Sequence, residues 1–398
     1  MSLNVGTDSA ALESPARLSW NPLRCSGTDL PINLTILVKA LAIVLLITNH
    51  ARILPDPWLP FVPGIDLLPP VLFQKTLQVA LVVGSLAIVF NRRVRLSALI
   101  VGSTMLLAVV SSKEYYGNNR TFCGLMFFLA GLYQPGGPPF LRWQLALTYF
   151  GAGLNKALDP DWQSGVFFDN WAAHVLRNPA YLAADSVLPP LALGKIMGWG
   201  TSLTELGSVP LLLVPRLQFW GNLANILFQS GLLFFTGSTF SLFFYGMTAA
   251  SLSFVTWPQA PIRVLYDPAS QLALRARRLL EGWDFDQLFR WTQDTAYQAA
   301  PDGRDIGDPS AVQLRVGDKI YRGFQALRMI ILFNPVTYLV LAGAVAGAGY
   351  LPAPDITRRL IVGLSLVILL PPLAWLADTI LGQGRRSVSQ LAPTMAAK

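Results

Sequence analysis

Apolar runs of membrane length, separated by short polar stretches, recur along this chain. They predict helical spans near 32–53, 70–91, 95–112, 120–134, 139–157, 187–214, 217–236 and 238–256. Two more follow near 335–351 and 359–381; the first is short and Gly/Ala-rich, which suits a re-entrant segment or close pairing with a neighbour. Between these groups the pattern changes. Ile262 to Tyr266 is a short β-type run, and Gln271 to Gly282 has helical spacing, with Leu272, Leu279 and Leu280 set against Arg275, Arg277 and Arg278. Residues 311–316 and 319–322 predict a hairpin around Gly317-Asp318, and Phe324 to Leu332 is helical again. The expected fold class is a polytopic α-helical membrane protein of about eight to ten spans with a small thioredoxin-like α/β module. Its parts are a polar lead (1–31), a bundle (32–257), the module (258–334), two C-terminal spans (335–381) and a tail (382–398). Pro258 and Pro261 mark the boundary between bundle and module.

Composition agrees with the pattern. Hydrophobic residues make up 53% of the chain and charged ones only 13%, where a soluble domain has about a quarter charged. The lead has no basic n-region followed by a short apolar stretch, so the first span is expected to do the targeting. Loop charge sets the orientation. Arg92, Arg93 and Arg95 lie between the second and third spans, and Arg142, Arg216 and Arg385-Arg386 share their side if eight spans precede residue 258. That side is expected to be cytoplasmic, together with the N-terminus and the module, in the plasma (inner) membrane of a bacterial cell. The loop from Asp159 to Asp185 falls outside, and Arg358-Arg359 do not fit the scheme. The net charge of +8 follows from this bias and from anionic headgroups, so the expected partner is the bilayer and not nucleic acid. Cys25 and Cys123 have no metal spacing and are not expected to pair, and His50 and His174 alone make a histidine metal site improbable.

Candidate chemistry centres on Lys156, at the end of the fifth span. An ammonium at membrane depth is costly unless it is paired, neutralised or wet. It is either a base in a pocket or a side chain snorkelling to the headgroups. Glu205 lies in another apolar span and needs a partner such as Lys156, Lys195 or Arg120. A Lys156–Glu205 pair is either a functional site or an ion pair pinning two helices. Asn222, Asn225 and Gln229 share a helix face and either line a polar pocket or bond between helices.

Two resemblances carry further expectations. The stretch from about Asn118 to Pro258 includes Gly117-Asn118-Asn119-Arg120, then Tyr149-Phe150-Gly151-Ala152-Gly153-Leu154-Asn155-Lys156, then Asp161-Trp162-Gln163-Ser164-Gly165 and Thr201 to Gly207. It resembles the HTTM family, the membrane domain of vitamin K-dependent gamma-glutamyl carboxylase type. That resemblance implies a carboxylase-like lyase with Lys156 as catalytic base; on the reading of the residues themselves, Asn119, Arg120, Asp161, Trp162, Glu205 and Gln229 are the expected pocket or supporting residues. The resemblance also implies a reduced, vitamin K-like quinone as cofactor, and a secreted peptide or a lipid-soluble substrate at the outer face. The chain departs from the family at its assisting histidines: Arg120 stands at one, and Phe228-Gln229 fill the segment of the other. The propeptide-gripping domain is also missing. The alternative is therefore a non-catalytic membrane factor for maturation, export or immunity of a secreted peptide. Val264 to Ala273 and Ile320 to Leu327 are similar to the DCC family of thiol-disulfide oxidoreductases. Ser270 and Ala273 stand at its two cysteine positions, so the module is expected to be redox-inactive.

Overall fold

The computed structural model describes residues 20–348 apart from 49–59, 61, 114, 138, 237–240, 256, 259–260, 267–270, 294–312, 317–318 and 323. Expectations for His50, Ser270, the hairpin turn, the span at 359–381, Arg358-Arg359 and the tail lie outside the described residues.

The bundle is built from α1 (Ile32–Ile47), α2 (Pro70–Val89), α3 (Val94–Ser111), α4 (Asn118–Gly131) and α5 (Phe140–Leu158). The short helices α6 (Pro160–Ser164), α7 (Val166–Asp169) and α8 (Pro179–Asp185) follow, with a π-helical turn (Asn170–Val175) before α8. Three long elements complete it: α9 (Ala192–Leu213), α10 (Gln218–Thr236) and α11 (Ser241–Ala250). Each matches one of the eight apolar runs read from the sequence. Two of the helices, α2 and α3, are long and apolar enough to cross a membrane by length and composition.

α1 and α11 are apolar but shorter, whereas α5, α9 and α10 carry polar residues, several of them satisfied inside the bundle. Arg142 of α5 donates to the Ser253 carbonyl at 3.0 Å, and Tyr149 bonds Asn225 of α10. Outward faces are apolar instead. On α5, Trp143, Leu147, Phe150 and Leu154 recur at spacings of three and four, all exposed. On α9, Ile196, Trp199 and Leu203 do the same, and on α2 so do Val79, Val83 and Leu86. The arrangement has polar groups inside and apolar groups outside.

The module runs β1 (Ile262–Tyr266), α12 (Gln271–Trp283), β2 (Phe289–Gln293), β3 (Gln313–Val316), β4 (Lys319–Arg322) and α13 (Phe324–Leu332). Its four-stranded sheet has the order β2-β1-β3-β4. β1 pairs in parallel with β2, Ile262 opposite Phe289, and antiparallel with β3, Val264 opposite Leu314. β3 and β4 are antiparallel, closing on Val316 and Lys319. Ile262, Val264 and Tyr266 point to one buried core with Leu314, Ala326 and Ile330, as period-two alternation requires. The strand β2 was not legible in the sequence.

α14 (Pro335–Ala348) follows α13 after a bend of 69°, and the two would make a third candidate crossing if they formed one span. The break is local chemistry. Pro335 cannot continue the preceding helix, and the Asn334 side chain accepts from the Val336 N–H at 3.1 Å as the cap of α14.

The lead ties bundle and module together, which the sequence did not suggest. Lys39, in the middle of α1 and fully buried, donates to the carbonyls of Pro22 at 2.9 Å and Arg24 at 2.5 Å. One oxygen of Asp286, in the module, accepts the N–H groups of Cys25 at 2.7 Å and Ser26 at 2.6 Å. Residues 22–26 are thus clamped between a cation of the bundle and an anion of the module. The loop between α2 and α3 and the first turn of α3 join them: the Arg92 guanidinium lies 3.6 Å over the Trp20 ring, and the Arg95 N–H donates to Asp29. Lead, arginine loop and module therefore share one end of the bundle.

Burial also disposes of Cys25. Its thiol is pushed up to about 12, chiefly by desolvation, with the Lys39 ammonium opposing and the Asp286 carboxylate adding to the rise. Because the thiolate is the reactive species, the folded protein is expected to resist a thiol-directed maleimide near pH 8. Denaturant should release two reactive thiols, Cys25 and Cys123, both buried and free. Mass spectrometry of the labelled protein, with and without denaturant, checks this.

Candidate functional site

The site forms where α5 crosses α9. Gly153 makes the crossing close: a Cβ there would meet the Leu206 side chain at 2.8 Å and the Glu205 Cβ at 3.1 Å. One turn on from this contact, Lys156 faces Glu205. Its ammonium donates to both carboxylate oxygens, at 2.6 and 2.5 Å. The side chains are 18% and 8% exposed, so the pair is largely out of solvent.

Two turns of chain then place an aromatic cover. Asp159 ends α5 and caps α6, accepting from the Asp161 N–H at 2.9 Å, with Pro160 in the first helical position that suits it. α6 carries Trp162, whose ring lies 5.2 Å from the Lys156 ammonium, within cation–π range. Gly165, at φ +87°, reverses the chain into α7. The segment packs on a stripe of small residues along α9, Gly194, Gly198 and Ser202, which ends at Glu205. A Cβ on Gly198 would lie 2.5 Å from the Trp162 carbonyl oxygen. This is close small-residue packing of the kind that joins helices in membranes. Trp162 stacks on Phe167 at 4.3 Å, and Phe168, Trp171, Tyr181 and Phe235 extend the cluster.

A second polar group lies two turns back along α5. The Tyr149 hydroxyl donates to Asn225 Oδ1 at 2.5 Å and accepts from Gln229 Nε2 at 3.0 Å. Asn225 Nδ2 goes on to the Met247 carbonyl and the Ser251 hydroxyl. All three side chains are buried, and Gln229 Oε1 has no partner. Asn225 and Gln229 therefore bond between helices. Asn222, on the same face, bonds back to the Gln218 carbonyl at 2.8 Å.

The structure thus brings together Lys156, Glu205 and Trp162, and nearby Gln229 with Tyr149. It does not add the remaining candidates to that group. Arg120 donates to the Tyr115 carbonyl and lies 4.2 Å over the Tyr115 ring, and Asn119 Oδ1 accepts from the Arg120 N–H. Neither bonds to Lys156 or Glu205. Asp161 is exposed and contributes its backbone to the cap. Lys195, another partner considered for Glu205, lies beside Gly165 through its backbone. His174 is exposed in the π-helical turn. In the module, Ala273 is fully buried in the first turn of α12.

Tyr149 was missed as a site residue, although it stands seven residues before Lys156 on the same helix face. Lys39 was missed too, and its signal was plain: a lysine in the middle of an apolar run. Among the described residues no group of three or more His, Cys, Asp or Glu side chains gathers as metal ligands. Compared with protein-family profiles, curated proteins and solved structures, the chain matches none.

Proposed function

We propose that this chain is a multi-span membrane protein on an HTTM-like bundle, with eight spans before residue 258, that serves as a non-catalytic factor in maturation, export or immunity of a secreted peptide. The observation that carries the non-catalytic part is the Lys156–Glu205 contact. An ammonium that donates to both oxygens of a buried carboxylate is a cross-brace between two helices; a catalytic base needs an open lone pair and a route to substrate. The missing family histidines at Arg120 and Phe228-Gln229 point the same way.

Support for the spans comes from the apolar outward stripes on α2, α5 and α9, since exposed apolar faces of this extent belong against lipid or a partner. The shared end of lead, arginine loop and module agrees with the basic-inside assignment. The sheet order β2-β1-β3-β4, with only β1 and β2 parallel, fits a thioredoxin-like unit. With alanine at 273 and serine at 270 that unit has no thiols for exchange. Reporter fusions test the topology. Insertions near residue 174 should report the outer side, and fusions at residue 284 the cytoplasm; the same side for both would sink the eight-span reading.

Two observations favour a second reading, a lysine-base enzyme using a vitamin K-like quinone. Trp162 covers the pair, and the unpartnered Gln229 Oε1 leaves a polar atom for a ligand nearby. That reading requires Lys156 to leave Glu205 during turnover.

A further inference from the structure

A cavity of about 580 Å3 lies between α1, α10, α11, α13 and α14 and is lined on one side by Tyr321, Met329 and Leu332 of the module. Its size is within the range of ligand pockets, about 300–1,000 Å3. Neither Lys156 nor Glu205 contributes to its wall, so it is separate from the site described above. We propose that it binds a neutral lipid with a single hydrogen-bonding head.

The wall is mostly apolar, with Leu41 of α1 and Phe333 beside α13, and no charged side chain lines it among the described residues. A charged headgroup would enter with no counter-charge, at high cost. Polar groups are nevertheless present on one side. Asn222 of α10 and Thr248 of α11 both line the cavity, and the side-chain oxygen of each is buried without a hydrogen-bond partner. Buried polar atoms in that state are rare and costly. One ligand hydroxyl serves both by donating to Asn222 Oδ1 and accepting from the Thr248 hydroxyl. Ser251, also in the wall, is already held by Asn225, which fixes this polar edge to the Tyr149 relay. Mostly apolar space of this volume favours apolar molecules over water, so the chain of the lipid fills the rest.

Photo-crosslinking of the full-length protein in detergent with a diazirine-bearing monoolein tests this. Label is expected in peptides covering 218–226 and 338–345 and should be competed by plain monoolein and not by oleate. Ala342→Phe, which fills the cavity, should abolish it. Thr248→Val, which removes only a hydroxyl, should weaken monoolein binding about fivefold. Label confined to the outward residues of α2, or label unchanged in both variants, would mean adsorption to the belt that faces lipid and would overturn the proposal. Equal competition by oleate would overturn the neutral-head assignment.

Discussion

Replacing Lys156 by alanine is expected to destabilise the protein by about 3–5 kcal/mol, the usual cost of leaving one member of a buried ion pair alone. Glu205 is only 8% exposed along its side chain and would lose the cation that offsets its burial, so it would hold a lone buried charge or take up a proton, each at a cost in stability. Glu205→Ala should cost a similar amount, less whatever water reaches the more exposed ammonium. Removing both charges together, as Lys156→Met with Glu205→Leu, should recover most of the loss, because well-packed apolar pairs replace buried ion pairs at little cost. Thermal unfolding in one detergent, comparing the singles with the double, measures this directly. The effect should be non-additive, as it is for residues in contact. The close crossing at Gly153 is expected to hold α5 and α9 in place in the double variant, so activity-independent folding is a fair readout.

The second large effect is expected at the clamp on the lead. Lys39→Met removes two charge-assisted hydrogen bonds, each worth about 1.5–3 kcal/mol, and leaves the Pro22 and Arg24 carbonyls unpaired beside an apolar helix. A loss of about 3 kcal/mol follows if part of the freed backbone reaches water. Asp286→Ala should release the amides of Cys25 and Ser26 from the other side. Hydrogen exchange separates the two variants from general unfolding. Amides at residues 24–26 should exchange much faster in both, while those in α3 and α4 keep their protection. Exposure of Cys25 to maleimide should rise in parallel, since its inertness depends on the same burial.

Much of the architecture was legible because it rests on local signals. Apolar length marks α1 to α5 and α9 to α11, and alternation or helical spacing marks β1, β3, β4, α12 and α13. The strand β2 was hidden because Phe-Arg-Trp-Thr-Gln carries one buried residue, Phe289, and an edge position asks little of the rest. Its pairing with β1 is a tertiary fact. The Lys156–Glu205 pair could be foreseen as an alternative, since two opposite charges in apolar spans seek each other. That the two charges meet depends on Gly153, whose closeness to Leu206 brings α5 against α9 and which no spacing rule reveals. Arg120, weighed as a partner for Glu205, is instead satisfied locally by the Tyr115 carbonyl and ring five residues earlier. The lead was read as a polar prelude; its contact with Asp286 spans 261 residues and leaves no trace in local pattern.

Exchanging the two charges, Lys156→Glu with Glu205→Lys, tests the central claim most directly. A cross-brace depends on opposite charges meeting and not on which helix carries which. The account therefore predicts that the exchanged protein unfolds close to the parent temperature, well above either single variant. Single variants as stable as the parent, or an exchanged protein no better than the singles, would contradict it and return Lys156 to the role of a base.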